Sequence, residues 1–429
     1  MKKSFLPTLL ACLLAITAVG SLYVRPAIAY SEGHRLLNEV WRIVDRAYVD
    51  DSFNGQNWWL VRQQALRKEV PDSEASYAVV REMLAGLGDP FTRFLDPDQY
   101  QSLQTNTSGE LTGVGLQITQ DDVGYLKVIA PVEGSPADEA GIQSQDHILS
   151  IDNVSTKGMA LDDAAKLMRG VPGTTVTLTI DRDHNPTDFP IVRDRISLNP
   201  VYADLRTDGA FPVGYIRLNQ FNANATDQLA QAIDTLDTDG AMGYVLDLRN
   251  NPGGLLKAGI EIARLWLDKG TIVYTVNRYG IQDRIDASGA ALTQAPLVIL
   301  VNGGTASASE ILSGALQDNG RAQLVGERTF GKGLIQSLFR LSDGSGLAVT
   351  VARYETPSHA DINQQGILPD RIVTTPILTR PELATEADLQ YQAAVELLAA
   401  SLENEPSEPS TGDNSAITLG SPQAAADAA

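Results

Sequence analysis

The sequence predicts a multi-domain α/β (α+β) protein, and three changes of pattern along the chain indicate that class. Between His34 and Gln104 apolar residues recur at helical spacing. From about Gly109 short strand-like runs alternate with turns, and from Arg195 strands alternate with helices, as in an α/β core. A chain of 429 residues is long enough for two or three domains, each with its own core.

The N-terminal residues carry the pattern of an export signal. Two lysines precede a long apolar run that ends in Ala27-Ile28-Ala29, so residues 1–29 are predicted to be a secretory signal cleaved after Ala29. The run is also long enough to remain as an uncleaved anchor. It contains Cys12, the only cysteine. Cleavage would therefore leave a chain without a disulfide, a thiol nucleophile or a cysteine-based metal site.

Charge narrows the range of partners. With 33 Lys and Arg against 53 Asp and Glu, the formal net charge is −20. Such a chain is not expected to bind nucleic acid or an anionic membrane surface.

Residues 30–107 are predicted to form a helical segment, which is broken by a turn at Asp89–Leu95. We expect the aromatic and charged side chains of this segment to serve packing and capping. At the other end, residues 403–429 lack aromatic residues and predict a disordered tail.

A glycine-rich loop opens the next predicted domain, at residues 108–194. In Leu111–Ile118 the glycines let successive N–H groups converge on a carboxylate, and the following strand offers a free edge to a peptide. A helix over Leu161–Met168 and a strand over Gly173–Ile180 follow in an order that resembles a PDZ domain. The resemblance implies a binding site for a substrate C-terminus at Thr112, Gly113, Val114, Gly115 and Leu116.

The α/β core is predicted over residues 195–402. Strands at Val213–Leu218 and Gly243–Arg249 flank a helix at Thr226–Leu236. After the second strand, two glycines in Asn250–Gly254 permit a kink that aims N–H groups outward.

The apolar run Leu297–Val301 predicts a further buried strand, followed by a turn and by a helix that opens at Thr305–Glu310.

A serine at a helix N-terminus is placed to act as an exposed nucleophile, with backbone N–H groups nearby to stabilise an oxyanion. None of the four histidines, at positions 34, 147, 184 and 359, lies in a pattern that predicts a Ser-His-Asp arrangement. Lys332, between Gly331 and Gly333, is the candidate base, because burial lowers the pKa of a lysine. Gln336 is expected on the same side of an extended strand, where it would orient the amine.

These motifs resemble the Ser-Lys-Gln site of the carboxyl-terminal processing (tail-specific) serine proteases. In that family the lysine follows the nucleophile by 25 positions, the spacing that separates Ser307 from Lys332. The spacing therefore favours Ser307 over Ser309. The match implies a ClpP/crotonase-like core, an oxyanion hole from the amides of Gly253 and Ala308, and no metal or cofactor.

The resemblance extends to two further residues and to biological role. Asp318 matches an acidic position that the family holds between nucleophile and lysine, and we expect it to be structural, because a third catalytic group is unnecessary once Gln336 orients the lysine. The resemblance also implies communication between PDZ domain and active site through Arg169, as in some members, whereas the simpler role of Arg169 is to compensate the helix dipole. N-terminal stretches look like the branch of photosynthetic organisms, which implies an exported endopeptidase of the thylakoid lumen or periplasm. Its partners would be proteins with free C-terminal tails, among them the photosystem II reaction-centre precursor, and peripheral membrane association is left open.

Three other functions stay open at this point. One is a general tail-specific protease for quality control, and a second is a PDZ binding protein with a vestigial active site. The third is an acyl-CoA hydratase or related enzyme, because the family's core belongs to the same broad fold group.

Overall fold

The structure is a computed structural model that describes residues 32–404 apart from Asp122, Glu133, Asp208 and Ile377. The predicted signal and all but the first two residues of the predicted tail lie outside the described residues. Within the described part, no helix combines the length and the apolar character needed to cross a bilayer.

The N-terminal segment is helical, as predicted, and three of its helices begin at side-chain caps. Asn57, Asp72 and Asp96 each accept a backbone N–H at a helix start. The apolar faces of the first three helices pack against buried residues far along the chain, including Leu341 and Leu347. The elements are α1 (Glu32–Ala47), α2 (Trp58–Ala65), α3 (Ser73–Ala85), β1 (Arg93–Leu95) and α4 (Pro97–Ser108).

The strand-rich segment forms its own sheet around its own core. Its strand order is β3-β4-β5-β7-β8, with β6 beside β5, and β2 pairs separately with β9. The predicted helix Leu161–Met168 has the same bounds in the structure. The elements are β2 (Glu110–Gly113), β3 (Leu116–Gln120), β4 (Leu126–Pro131), α5 (Pro136–Glu139), β5 (His147–Ile151), β6 (Val154–Ser155), α6 (Leu161–Met168), β7 (Thr175–Arg182), β8 (Asn185–Val192) and β9 (Asp194–Ser197).

A six-stranded sheet of order β10-β11-β12-β15-β16-β19 builds the core, and all its pairs are parallel except β10 with β11. Helices α7, α8 and α9 cover one face, and α10 covers the other. The elements are β10 (Val201–Arg206), β11 (Val213–Leu218), α7 (Ala225–Thr238), β12 (Gly243–Asp247), α8 (Leu256–Trp266), β15 (Leu297–Val301), α9 (Ala308–Asp318), β16 (Gln323–Gly326), β19 (Arg371–Ile372) and α10 (Leu389–Asn404).

A second sheet joins the two ends of the chain. Its order is β1-β18-β13-β14, with β17 also beside β18, and β1 of the N-terminal segment pairs antiparallel with β18. The N-terminal segment therefore shares a sheet and an apolar core with the C-terminal half. The strands are β13 (Thr271–Asn277), β14 (Gly280–Asp286), β17 (Leu334–Arg340) and β18 (Gly346–Glu355).

Two local expectations were wrong. The helix after β15 begins at Ala308 rather than at Thr305, because the Thr305 N–H and hydroxyl close a turn with Asn302. Strand β17 begins at Leu334, and its register shifts between Ile335 and Gln336. Simple alternation therefore does not place Lys332 and Gln336 on one side of a strand.

Candidate active site

Ser307 lies on a strained turn between the carboxyl end of β15 and the start of α9. Its backbone has φ 58° and ψ −117°, a conformation that L-residues rarely adopt and that costs about 1–3 kcal/mol. From Thr305 to Glu310, Ser307 is the only residue that is not buried. The strained backbone therefore exposes this one serine to solvent, as expected for a nucleophile.

Four hydrogen bonds hold the Ser307 backbone in this conformation. Its carbonyl accepts the N–H groups of Glu310 at 2.8 Å and Ile311 at 3.0 Å, and the hydroxyl of Tyr354 at 3.1 Å. Its own N–H donates to the Glu310 carboxylate at 2.9 Å. With the backbone fixed, the serine hydroxyl is confined to a few side-chain rotamers.

Glu310 connects the nucleophile turn to the loop of the candidate base. Its side chain is fully buried, and its two oxygens accept four hydrogen bonds. The donors are the Ser307 N–H, the Thr329 hydroxyl, the Gly331 N–H and the Lys332 N–H, at 2.6 to 2.9 Å. The amides of Ser307 and Lys332 meet on the same oxygen. In the sequence Glu310 occupies the position of a helix-capping residue, and its link to the lysine loop is an addition that the local sequence does not signal.

Replacing Glu310 by glutamine is expected to weaken both folding and catalysis. The amide nitrogen of glutamine would face donors that need an acceptor, and bonds to a charged group contribute about 1.5–3 kcal/mol each. Urea unfolding should report a loss of about 3 kcal/mol or more, together with a large fall in kcat. Glu261→Gln removes a surface carboxylate paired with Arg264 and serves as control, with an expected loss below about 1 kcal/mol. Equal unfolding midpoints for the two variants would contradict the linking role.

Lys332 sits on a loop that only glycine neighbours allow. A Cβ on Gly331 or on Gly333 would lie within 3.0 Å of backbone nitrogens between Asn363 and Gly366. Burial lowers the pKa of Lys332 below its ordinary value, and the charge of Arg93 lowers it further, whereas Asp89 and Glu310 oppose the shift. The direction is the one that a general base working near neutral pH requires.

The amine of Lys332 points to an aromatic ring from the N-terminal segment. Its Nζ lies 4.8 Å from the centre of the Phe91 ring. The turn that carries Phe91 is fixed by Asp89, whose carboxylate accepts bonds from the Phe91 N–H, the Thr92 hydroxyl and the Thr350 hydroxyl. Sequence reasoning assigned this turn to packing and missed its contact with the lysine, because no local pattern connects residues so far apart along the chain.

In the described part of the chain, the three predicted catalytic side chains make no hydrogen bond to one another. Among the described residues, no hydrogen bond joins Lys332 Nζ to Ser307 or to Gln336. The Gln336 side-chain nitrogen is buried and finds no hydrogen-bond partner within the described part of the chain. Gln336 faces Thr350 across the β17–β18 pair, beside the Asp89 turn. A buried unpaired N–H costs about 1–3 kcal/mol, so we expect this group to gain a partner when the site is at work.

The candidate oxyanion donors lie where the turns after β12 and β15 touch. A Cβ on Gly253 would lie 2.8 Å from the Ala308 nitrogen and 2.9 Å from the Ser307 Cβ. The Gly253 N–H donates to the Asn251 side chain at 2.9 Å. The N–H groups of Gly254 and Ala308, in contrast, reach no acceptor among the described residues. Ala308 is thus free for the predicted role, while Gly253 shares its amide with Asn251.

A buried ion network anchors the turn after β12. Arg249 pairs with Asp247 on its own strand and with Asp388 at the start of α10, at 2.6 and 2.8 Å. Burial opposes the charge on Asp247, but hydrogen bonds and charge from Arg249 outweigh it and lower the pKa of Asp247. The turn that carries Gly253 and Gly254 is therefore anchored, through Arg249, by Asp388 near the C-terminal end of the described chain.

Comparison with known proteins decides the family. Residues 212–373 match the model of peptidase family S41, and residues 127–182 match a PDZ domain. A carboxyl-terminal-processing protease of Picosynechococcus is 57% identical over 375 residues, which cover 87% of this chain and 91% of that relative. The chain belongs to peptidase family S41. The predicted family, fold class and enzyme class, a serine peptidase, are confirmed.

Two further proteins similar to this S41 peptidase have names that refer to the chloroplast or to photosystem II. The chloroplastic carboxyl-terminal-processing peptidase 2 of Arabidopsis thaliana is 47% identical and covers 80% of this chain and 70% of its own. Among solved structures, a photosystem II D1 C-terminal processing protease aligns with a TM-score of 0.55 and 41% identity, over 83% of this chain and 99% of that chain. The domain boundaries and the individual site residues stay predictions.

The predicted carboxylate loop of this S41 peptidase is buried at Gly113, Val114 and Gly115. The N–H groups of Val114 and Gly115 donate to no acceptor among the described residues, whereas their carbonyls accept bonds from Ala137 and Val132. A Cβ on Gly113 would touch the Met168 carbonyl and the Arg169 Cα at 3.2 and 3.4 Å. Arg169 also lines a cavity of about 1080 Å³ that reaches Asp89 and Arg93. Arg169, at the end of α6, and the Asp89 turn beside Lys332 therefore line one cavity.

The remaining predicted sites have simple contacts. Asp318, the last residue of α9, accepts the N–H of Ser358 at 2.9 Å. Thr112 lies in β2, opposite Arg195, and Leu116 opens β3. Within the described ranges, no group of three or more His, Cys, Asp or Glu side chains is arranged to hold a metal ion.

Proposed function

We propose that this S41 peptidase is an exported endopeptidase that uses a Ser307–Lys332 dyad to cleave proteins near a C-terminus held by its PDZ domain. The observation that carries the proposal is the shared Glu310 oxygen, which brings the strained Ser307 turn and the loop of a lysine with a lowered pKa together. A buried acid that fixes two loops at one point is expected in a site that needs exact spacing.

The proposed reaction follows from these groups. Neutral Lys332 takes the proton of Ser307, and the serine oxygen attacks the scissile carbonyl. The Ala308 amide and an amide of the Gly253–Gly254 turn stabilise the oxyanion. Lys332 then gives its proton to the leaving amine and activates the water that hydrolyses the acyl-enzyme. Gln336 orients the amine through its terminal amide.

Amidating the C-terminus of a peptide substrate is expected to raise KM about tenfold or more. The free N–H groups of Val114 and Gly115 suit a terminal carboxylate, and a charge-assisted hydrogen bond contributes about 1.5–3 kcal/mol, against 1.4 kcal/mol per decade of affinity. Steady-state kinetics on matched free-acid and amidated peptides measure the difference. The test is made on the substrate side, because a valine at Gly115 would collide with the Ser135 Cβ at 2.3 Å and disturb the fold.

The two peptides also separate tethering from activation. Equal rates at saturation would mean that the PDZ domain only tethers the tail. A lower saturating rate for the amidated peptide would mean that carboxylate binding also promotes the active arrangement, with Arg169 as the connecting residue. Identical kinetics at every concentration would contradict C-terminal recognition by this loop.

We extend the proposal to the maturation of the photosystem II D1 precursor in the thylakoid lumen or periplasm, with peripheral association with the membrane that holds this substrate. The 41% identity to a D1 processing protease and the secretory pattern of residues 1–29 support it. Purified enzyme should shorten the D1 precursor in isolated thylakoid membranes to one defined C-terminus, read by mass spectrometry. Ser307→Ala is the matched control. Cleavage of unrelated tails with the precursor left intact would favour general quality control.

A further inference from the structure

Phe91 holds the side chain of Lys332, yet nothing in the proposed chemistry requires an aromatic ring there. The ring comes from a turn between α3 and β1, and the turn is bonded to Thr350 of β18 through both Asp89 and Thr92. Thr350 in turn lies opposite Gln336. Phe91 is therefore fixed to the same strand pair that carries the predicted orienting residue, and its position is independent of the flexible lysine side chain.

An aromatic face attracts a cation and not a neutral amine. At 4.8 Å from the ring centre, Lys332 Nζ is in range for this attraction. The charged groups that face the amine are Arg93 from β1, Asp89 from the turn and Glu310 from α9. The carboxylates favour the ammonium and Arg93 disfavours it, so the ring adds to the side that keeps Lys332 protonated.

The backbone amide of Lys332 is tied to the Ser307 turn, so the amine changes position through rotation of the lysine side chain. The backbone N–H groups of Lys332 and Ser307 donate to the same Glu310 oxygen, so the two backbones are fixed beside each other. A lysine has four rotatable side-chain carbons, which let the amine swing between neighbouring positions. The Gln336 side-chain nitrogen is buried without an acceptor among the described residues, and its N–H can donate to the lone pair of a neutral amine but not to an ammonium.

We propose that Phe91 is a positioning residue that docks the protonated amine of Lys332 away from Ser307, so that release from the ring accompanies formation of the active base. The proposal rests on the proposed function only in taking Lys332 as that base. Docking on the ring and proton removal from Ser307 exclude each other, since the ring binds the ammonium and the reaction needs the free amine.

The direct test is NMR on the full chain with 13C-labelled lysine in the Ser307→Ala background, with the Lys332 signal identified by its loss in Lys332→Arg. Below its pKa, the ε-methylene protons of Lys332 should be shifted upfield by the ring current of Phe91. Phe91→Leu and Phe91→Met should remove this shift and lower the titration midpoint by ~0.5–1 pH unit. Phe91→Tyr keeps an aromatic face and should retain both properties.

The pH profile of kcat in the Ser307 enzyme supplies a second readout. The limb assigned to Lys332 should move to lower pH in Phe91→Leu, while KM stays unchanged. Tyr279→Leu removes another ring that carries a cation, Arg278 at 5.2 Å, from a residue 79% exposed, and should alter neither readout.

Ordinary ε-methylene shifts in the Ser307→Ala protein, or an unchanged midpoint in a folded Phe91→Leu or Phe91→Met, would overturn the proposal. The first of these outcomes needs no substitution at Phe91. Full activity in Lys332→Arg would instead remove the proposed dyad, while the NMR experiment would still decide where the amine lies.

Discussion

Replacing Ser307 by alanine is expected to lower kcat on the order of a million-fold, the scale seen when a serine peptidase loses its nucleophile. Stability should change by less than about 0.5 kcal/mol, because the residue is partly exposed and its backbone makes the bonds that fix the turn. Peptide hydrolysis by mass spectrometry and urea unfolding measure the two effects.

Ser309→Ala is the matched control two residues away. The Ser309 side chain is buried and donates to the Asn251 carbonyl at 3.0 Å, an oxygen that also accepts the Ala306 N–H. Losing that bond should cost about 1 kcal/mol of stability and leave most of the activity. A variant pair with the opposite ranking would show that Ser309 is the nucleophile.

Lys332→Arg is expected to be as inactive as Lys332→Ala. Arginine keeps the positive charge but stays protonated at any accessible pH, so it cannot accept the Ser307 proton. In the unsubstituted enzyme, kcat/KM should rise with pH as the amine loses its proton and level off below the ordinary lysine value of 10.5, because burial and Arg93 lower the pKa of Lys332. An initial-rate profile on an unstructured peptide, recorded from mildly acidic pH to pH 10, measures the limb. Turnover by the arginine variant would exclude lysine as the base.

The sequence was sufficient where the chemistry is local. The strand Leu297–Val301 and the helix Leu161–Met168 have the predicted bounds, since a continuous apolar run and a helical period leave few alternatives. The spacing of Ser307 and Lys332 could be compared with a family, and the family is confirmed.

Contacts between distant segments could not be predicted in this way. Phe91 beside Lys332 and Asp388 beside Arg249 each depend on how separate elements pack. The shift of register before Gln336 depends on the partner strand, and a single strand's alternation carries no sign of it. Glu310 looks like a helix cap in the sequence, because only its position at the helix start is visible there. Three of its four donors come from outside the first turn of the helix, and the sequence around Glu310 does not indicate them.

The N-terminal segment and the C-terminal half share a sheet, so the smallest part of the chain that can fold alone is larger than the segment that the family model spans. Cutting the chain to residues 212–373 would strip β1 from the edge of β18 and uncover Leu347 and Val349. It would also remove α10 and Asp388 from the ion network, so that Arg249 would keep Asp247 as its acidic partner but lose the second carboxylate and the helix that covers it. The catalytic half is therefore not expected to fold independently of the N-terminal segment. Synthesis must extend from Asp89 through Asp388 before Phe91 can lie beside Lys332 and Asp388 can pair with Arg249. A shorter nascent chain therefore contains Ser307 and Lys332 but no assembled active site.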